Sequence, residues 1–174
     1  MGIEWILIAA GVVILIAVLA QRRMLQRRLF DNKEALAGLE FQDSVPSEVE
    51  QVLKNAPKIK GDGKFEFKAE GCIAFANNFE AIRIARRIYF LEPTVVEVLL
   101  LPNPSNLERK LAVAVTMDSK VLGYVPTTEA GEMHMYLLAN SSGVRAMARI
   151  LLGSRPEYNA VMLDFEKPLR LESR

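Results

Sequence analysis

The sequence has little of the material from which many functional sites are built. Its 174 residues include one cysteine (Cys72), one histidine (His134) and one tryptophan (Trp5). A single cysteine excludes an internal disulfide framework and a cysteine-based zinc site. A single histidine leaves little material for a histidine-ligated metal or for a histidine-based catalytic triad.

The charge balance and the apolar content narrow the class of protein further. Lysine and arginine together number 22, against 21 aspartate and glutamate residues, which gives a formal net charge of +1. A balance so close to zero is not typical of nucleic-acid-binding proteins. Apolar residues make up 51% of the chain, which excludes disordered and collagen-like proteins. The length suffices for one ordinary domain with an appendage.

The sequence contains no motif that indicates catalysis. Cys72 lies in an apolar run, and no motif supplies it with a base or an oxyanion hole. The Gly-Asp-Gly-Lys stretch at 61–64 lacks the four-residue spacer of a phosphate-binding loop. We therefore expect a protein that is not an enzyme and that has no cofactor and no metal.

The N-terminal segment is the most apolar part of the chain. Residues 5–20 carry no charge, and as a helix they would be about 24 Å long. The alternatives are a cleaved signal peptide, which needs positive charge before the apolar run, and a core helix, which needs a polar face. Neither feature is present. We expect a transmembrane helix over residues 1–20, with residues 3–20 in contact with the membrane.

Positive charge follows this segment and none precedes it. Arg22, Arg23, Arg27 and Arg28 lie on its C-terminal side. Basic residues tend to stay on the cytoplasmic side of a membrane span. The sequence therefore predicts a single-pass protein of the cell membrane, with its N-terminus outside and its C-terminal domain in the cytoplasm.

The rest of the chain is predicted to form a stalk and one folded domain. Residues 21–56 show the apolar spacing of helices. Residues 57–168 combine that spacing with the two-residue alternation of strands, and residues 169–174 form a tail. Short strands in sequence order, with hairpin connections, favour a small antiparallel α+β or mostly-β domain of the OB-like barrel class with two helices. The predicted strands cover 64–68, 95–101, 110–117, 121–125, 144–152 and 160–165, with a hairpin turn at 118–120. The predicted helices cover 79–88, with Asn78 as the cap, and the stretch after Pro126.

Several short motifs follow one another in the second half of the chain. A strand-like run ends in Asn-Pro at 103–104, Ala-Val-Ala-Val follows at 112–115, and Gly-Tyr-Val-Pro follows at 123–126. A helical stretch and an alanine-containing strand at 144–151 complete the order. Over residues 70–165 this order resembles the HIRAN domain family. The resemblance implies an OB-type β-barrel that binds a nucleic-acid end or a small ligand and is not an enzyme.

The resemblance also indicates which residues would form the site. The family loop reads Asn-Pro-Tyr-Asp-x-Asn-Ala, and in this chain Asn106 is kept while Glu108 and Arg109 replace the tyrosine and the aspartate. Tyr124 keeps its place after Gly123. The candidate residues for binding nucleic acid or a ligand are Asn106, Arg109, Lys110, Tyr124, Arg145 and Arg149. The alternative is that Tyr124 only packs against a neighbouring strand and that the basic residues form an ordinary solvated surface.

Two functions remain open at this point. The first is a membrane-anchored, non-catalytic HIRAN-like module that binds single-stranded nucleic-acid ends or a small ligand at the cytoplasmic face. The second is a membrane-tethered scaffold without nucleic-acid binding, whose stalk and strand edges dock a protein partner. Positive charge concentrated around Tyr124 would favour the first, and scattered charges would favour the second.

Overall fold

A curled antiparallel sheet with two helices forms the part of the chain that the structure describes. The structure is a computed structural model and describes residues 55–103, 111–140 and 142–172. The strands are β1 (Phe67–Lys68), β2 (Thr94–Pro102), β3 (Val113–Met117), β4 (Lys120–Tyr124), β5 (Val144–Leu151) and β6 (Ala160–Asp164). The helices are α1 (Ala76–Arg86) and α2 (Thr127–Asn140), and short 3₁₀ turns lie at Cys72–Phe75 and Pro156–Tyr158.

The six strands form one sheet in the order β1-β6-β5-β2-β3-β4. The sheet curls into a half-barrel, and its two outer strands meet at one end. Glu70, which follows β1, exchanges backbone hydrogen bonds of 2.8 and 2.9 Å with Tyr124, the last residue of β4. This arrangement is compatible with an OB-like α+β fold.

Alternating burial explains why the strands curl around one core. In β5 the residues Val144, Ala146, Ala148 and Ile150 are fully buried, while the residues between them face outward. Because successive side chains of a strand point to opposite faces, this pattern places one face of β5 on the core. Phe79 and Ile82 of α1 and Met133 and Leu137 of α2 are buried as well and belong to the same core.

The turn between β3 and β4 is a tight hairpin. Asp118 and Ser119 have φ angles of 50° and 63°. Positive φ at both central residues is the geometry of a turn whose twist matches that of the flanking strands. The predicted hairpin turn at residues 118–120 therefore lies in the expected place.

The predicted fold class agrees with this architecture, and the predicted bounds differ where local geometry intervenes. β1 has two residues rather than five, and Phe65, inside the predicted strand, has a φ of 56° that no strand adopts. Helix α1 begins at Ala76, before the predicted cap at Asn78. The Asn78 side chain donates instead to the backbone oxygen of Val121 at 2.8 Å.

The predicted location in the cell membrane is corrected by the structure. Among the helices of the described ranges, none combines the length and the apolar composition needed to cross a membrane. A span needs about 20 apolar residues, whereas α2 has 14 residues, with Glu129 and Glu132 among them. Residues 1–54, which contain the predicted span, most of the predicted stalk and Arg22, Arg23, Arg27 and Arg28, lie outside the described residues.

Candidate binding surfaces

A cleft of about 570 Å³ lies beside the first half of β2. The end of α1 and the turn between β3 and β4 form its walls, since Arg86, Ile88, Met117 and Asp118 line it. Its other lining residues are Thr94, Val95, Val96, Glu97, Val98 and Leu99 of β2, with Thr116 and Arg145.

The cleft exists because β2 is longer than the strand beside it. β2 has nine residues and β3 has five. Their ladder covers only Leu99 to Pro102, which pair with Thr116 to Val113. Residues 94–98 therefore have β5 on one side and, among the described residues, no strand on the other.

The N–H and C=O groups of successive residues of β2 point alternately to its two sides, and this alternation shows which backbone groups face the cleft. Asn103 donates its N–H to Ala112, on the β3 side, at 2.8 Å. In an antiparallel ladder the groups of alternate residues point to the same side. The N–H and C=O of Leu99 thus point to β3, and those of Val95 and Glu97 point in the same direction.

The hydrogen bonds of β5 show the same alternation along β2 independently. Arg145, opposite Leu99, exchanges hydrogen bonds of 2.9 and 2.8 Å with the segment at 57–59. Its backbone groups therefore face away from β2, so the bonded pairs of the β2–β5 ladder include Val96 with Ala148. Among the described residues, no group accepts a hydrogen bond from the Val95 and Glu97 N–H groups, and none donates to their carbonyl oxygens.

The side chains around this open edge are mixed in character. Val96 packs partly against the core, and Val98, Ile88 and Met117 are buried, so the inner side of the edge is apolar. On the outer side Val95 is 51% exposed. Glu97 is exposed as well and pairs with Arg145 at 3.3 Å.

A second ion pair forms one end of the cleft. Arg86 of α1 contacts both carboxylate oxygens of Asp118, and its Nε lies 2.8 Å from Oδ2. The hydrogen bonds and the charge of Arg86 lower the pKa of Asp118. The cleft thus contains two acids and two bases, each already paired, and has no excess charge of either sign.

Tyr124 lies in a different place, at the corner where the curled sheet meets itself. Its ring contacts Phe75 edge-on, with centroids 5.8 Å apart and an interplanar angle of 63°. The neighbouring Glu70 carboxylate accepts hydrogen bonds from the Thr127 N–H and hydroxyl at 3.0 and 2.8 Å. The tyrosine is half-buried, and the charged group beside it is an acid.

Asn103 lies at the same end of the sheet as Tyr124. Asn103 donates to Ala112, and Val125 donates to Val113 at 2.9 Å, so the two residues flank the start of β3. Asn103 is 1% exposed, and its Oδ1 has no hydrogen-bond partner among the described residues. A buried amide oxygen without a partner is unfavourable by about 1–3 kcal/mol.

The predicted site residues do not form one site in the part of the chain that the structure describes. Arg145 and Arg149 point outward from β5. In either direction around the curled sheet, β5 lies three strands away from β4, which carries Tyr124. Arg145 pairs with Glu97 and donates to the backbone of Ala56. The guanidinium of Arg149 lies 4.4 Å from the ring centroid of Phe65. The remaining predicted residues, Asn106, Arg109 and Lys110, lie outside the described residues.

The lone cysteine and histidine are buried. Burial raises the pKa of the Cys72 thiol, which donates weakly to the Ala69 carbonyl. His134 lies on the buried face of α2, and its Nδ1 has no hydrogen-bond partner among the described residues. No group of three or more potential metal ligands is found in the described part of the chain.

The sequence did not indicate the cleft. The predicted strands at 95–101 and 110–117 are of nearly equal length and leave no overhang, whereas β2 has nine residues and β3 has five. Val95 and Glu97 carry no motif, because the groups that face the cleft are backbone groups. Those groups depend on which strand lies alongside, and composition does not reveal it.

Comparison with models of known protein families, with curated proteins and with solved structures finds no match for this chain. We therefore infer the function from the geometry and the chemistry of these surfaces.

Proposed function

We propose that this protein is a non-catalytic binding module of HIRAN-like organisation, which binds a partner polypeptide as an added strand on the open edge of β2. The backbone groups of Val95 and Glu97 carry this proposal, because they face a cleft without partners among the described residues. An extended peptide can supply the missing hydrogen bonds by joining the sheet. Five residues of such a strand are about 16 Å long, which matches the span of residues 94–98.

The shape of the cleft favours a single strand over the edge of another domain. The end of α1 and the turn at 118–119 stand beside the edge and leave a groove rather than an open face. A lone extended segment fits between these walls. Open edges are also a hazard for aggregation, and the exposed charge of Glu97 is the kind of feature that reduces this hazard.

The distribution of charge supports a protein partner over nucleic acid. Strong binding to phosphates needs several uncompensated cations in one place. Arg83, Arg86 and Arg145 each pair with a carboxylate. The acid Glu70 lies beside Tyr124, so the described surface there offers no concentration of positive charge.

The HIRAN-like assignment is supported by the order of the elements. After β2 come β3, a tight turn, β4 ending at Gly123-Tyr124, Pro126, α2 and the alanine-containing β5. The resemblance over residues 70–165 implies the same order. The polypeptide-binding edge is a feature of the geometry and is additional to that resemblance.

A proline variant tests the proposal at the backbone itself. Val95→Pro removes the N–H that faces the cleft and leaves the β2–β5 ladder intact, since proline is tolerated where a strand N–H points away from the sheet. The probe is a fluorescein-labelled, end-capped peptide of sequence Thr-Lys-Val-Val-Thr, and its binding to the full chain is measured by fluorescence anisotropy. We expect the wild type to bind it and Val95→Pro to bind at least about five-fold more weakly, because one hydrogen bond of about 1 kcal/mol is lost.

Val95→Thr is the matched control, because it changes the same exposed side chain and keeps the N–H. It should bind the peptide more tightly than Val95→Pro does, and circular dichroism should show the same fold for both variants. A peptide that is N-methylated at its second and fourth residues, whose N–H groups would face Glu97 and Val95, should not bind. Equal affinity of wild type and Val95→Pro for the unmethylated peptide, or no binding to either, would overturn the proposal.

We propose a second candidate function, the binding of a nucleic-acid end or a small ligand at the corner of Tyr124. The buried, unpartnered Oδ1 of Asn103 favours it, because that acceptor lies at the same end of the sheet as the half-exposed tyrosine ring. Stacking on an aromatic ring contributes about 1–3 kcal/mol per base.

Titration with a labelled single-stranded oligonucleotide at low salt tests the nucleic-acid form of this candidate. Binding should be weakened about 5- to 150-fold by Tyr124→Ala, from the stacking energy above. Tyr158→Ala, which removes an exposed tyrosine elsewhere, should change nothing. Absence of affinity at low salt, where phosphate contacts are strongest, would exclude it.

A further inference from the structure

The cleft beside β2 presents a different chemical environment to each position of an added strand. A residue that faces Val96 points to the inner side, where Val98, Ile88 and Met117 provide apolar contacts. The two flanking residues face Val95 and Glu97 and point outward. Three consecutive residues of the added strand therefore lie opposite two apolar side chains and one carboxylate.

We infer, on the basis of the proposed function, that the bound strand carries a lysine or arginine opposite Glu97 and apolar residues opposite Val96 and Val95. Opposite charges directly across a ladder are favourable, and like charges are unfavourable. Glu97 is exposed, and its contact to Arg145 is a single one of 3.3 Å. Its second carboxylate oxygen has no partner among the described residues, so a cation on the added strand can bind without displacing Arg145.

The direction of the added strand fixes the order of these residues. The β3–β4 turn borders the groove beyond Thr116, which pairs with Leu99. An added strand that runs antiparallel to β2 has the direction of β3 and begins near this turn. Its N-terminal end then meets Glu97, while Asp118 at the same end is already paired with Arg86. A basic residue followed by two apolar residues is the sequence that fits this direction.

An apolar residue opposite Val95 follows from exposure. Val95 is 51% exposed on the outer face, and Tyr89, Phe90 and Leu91 are also exposed shortly before β2. Covering apolar surface contributes about 25 cal/mol for each Å² removed from water. A valine, isoleucine or aromatic residue at this position covers Val95, and a charged residue does not.

A charge-swap experiment tests the preference for a base. Two end-capped peptides that differ in one residue, Thr-Lys-Val-Val-Thr and Thr-Glu-Val-Val-Thr, are titrated into the full-length wild type and into Glu97→Lys. We expect the wild type to prefer the lysine peptide about three-fold, and Glu97→Lys to prefer the glutamate peptide. Both preferences should shrink at about 1 M salt, because exposed charges are then screened.

Glu97→Gln is the control and should bind both peptides with similar affinity. Should Glu97→Lys not fold, the comparison of the two peptides on the wild type and on Glu97→Gln still decides the question. Equal affinity of the wild type for both peptides, with Val95→Pro still weakening the binding of both, would overturn the charge preference and leave the proposed function standing. Absence of binding by either peptide would overturn both.

Discussion

A close backbone approach in the curled sheet depends on one glycine. A Cβ at Gly123 would lie 2.8 Å from the Glu70 carbonyl oxygen and 3.1 Å from the Cys72 sulfur. The same Glu70 oxygen accepts the Tyr124 N–H at 2.9 Å. The two outer strands can meet at this corner because residue 123 has no side chain.

Replacing Gly123 with alanine should therefore open the corner. The added methyl group meets a backbone oxygen that cannot rotate away, so we expect a loss of about 1–3 kcal/mol in the free energy of unfolding, as for other overpacked sites. Urea unfolding followed by circular dichroism measures it. Gly131→Ala is the control: its Cβ would lie 3.8 Å from the nearest atom, Leu111 Cδ1, and helix propensity favours alanine. A Gly123→Ala variant as stable as the wild type would contradict the close approach.

At the scale of elements, the cleft keeps its shape because α1 is tied to the β3–β4 turn. Arg86, the last residue of α1, forms a two-point contact with Asp118, the first residue of the turn. The pair is partly exposed, with 34% of the Asp118 side chain and 55% of the Arg86 side chain accessible. Such pairs contribute at most about 1 kcal/mol.

The ion pair of Arg86 and Asp118 should make the stability of the protein depend on pH. Arg86 lowers the pKa of Asp118 in the folded state. The unfolded state therefore takes up the proton more readily, and the contribution is fully present above the ordinary aspartate pKa of about 4 and is lost as the pH falls through the lowered folded value. Asp118→Asn should be less stable than the wild type by up to about 1 kcal/mol at pH 7, and this difference should shrink as the pH falls below about 4.

Thermal unfolding between pH 2 and pH 7 measures the difference, with Glu92→Gln as the control, since Glu92 forms no ion pair in the described part of the chain. A stability difference between Asp118→Asn and the wild type that does not change with pH would contradict the pairing.

The elements were predicted well where alternation is strong and less well where a single residue or a distant contact decides. β5 and β6 lie within one residue of their predicted ends, because buried and exposed side chains alternate along them. β1 was predicted too long, because the positive φ of Phe65 has no sequence signal. Asn78 was predicted as a cap, and its bond to Val121, 43 residues away, depends on the tertiary structure.

At the scale of the whole molecule, the candidate site was predicted less completely than the fold. The sequence suggested Tyr124, Arg145 and Arg149 as one surface. The resemblance indicated Tyr124, and the alternation along β5 placed the two arginines on its outer face. The ring-like order of the strands separates β4 from β5. The open edge of β2 follows from the unequal lengths of β2 and β3 and from the ladder phase, and both of these require the assembled sheet.

The net charge of +1 is consistent with the same account. A protein that binds a strand through backbone hydrogen bonds needs no field of one sign. Its specificity comes from alternate side chains along the groove. Binding thus depends on two backbone N–H groups in the first half of β2 that have no partner in the part of the chain that the structure describes.

Amide hydrogen exchange, followed by NMR in the full chain, tests that claim most directly. The account predicts fast exchange for Val95 and Glu97 and slow exchange for Val96 and Val98, whose N–H groups bond to β5. Adding the Thr-Lys-Val-Val-Thr peptide should slow exchange at Val95 and Glu97 and leave Val96 and Val98 unchanged. Four equally protected amides in the free protein would contradict the account, and so would fast exchange at Val95 and Glu97 that the bound peptide does not slow.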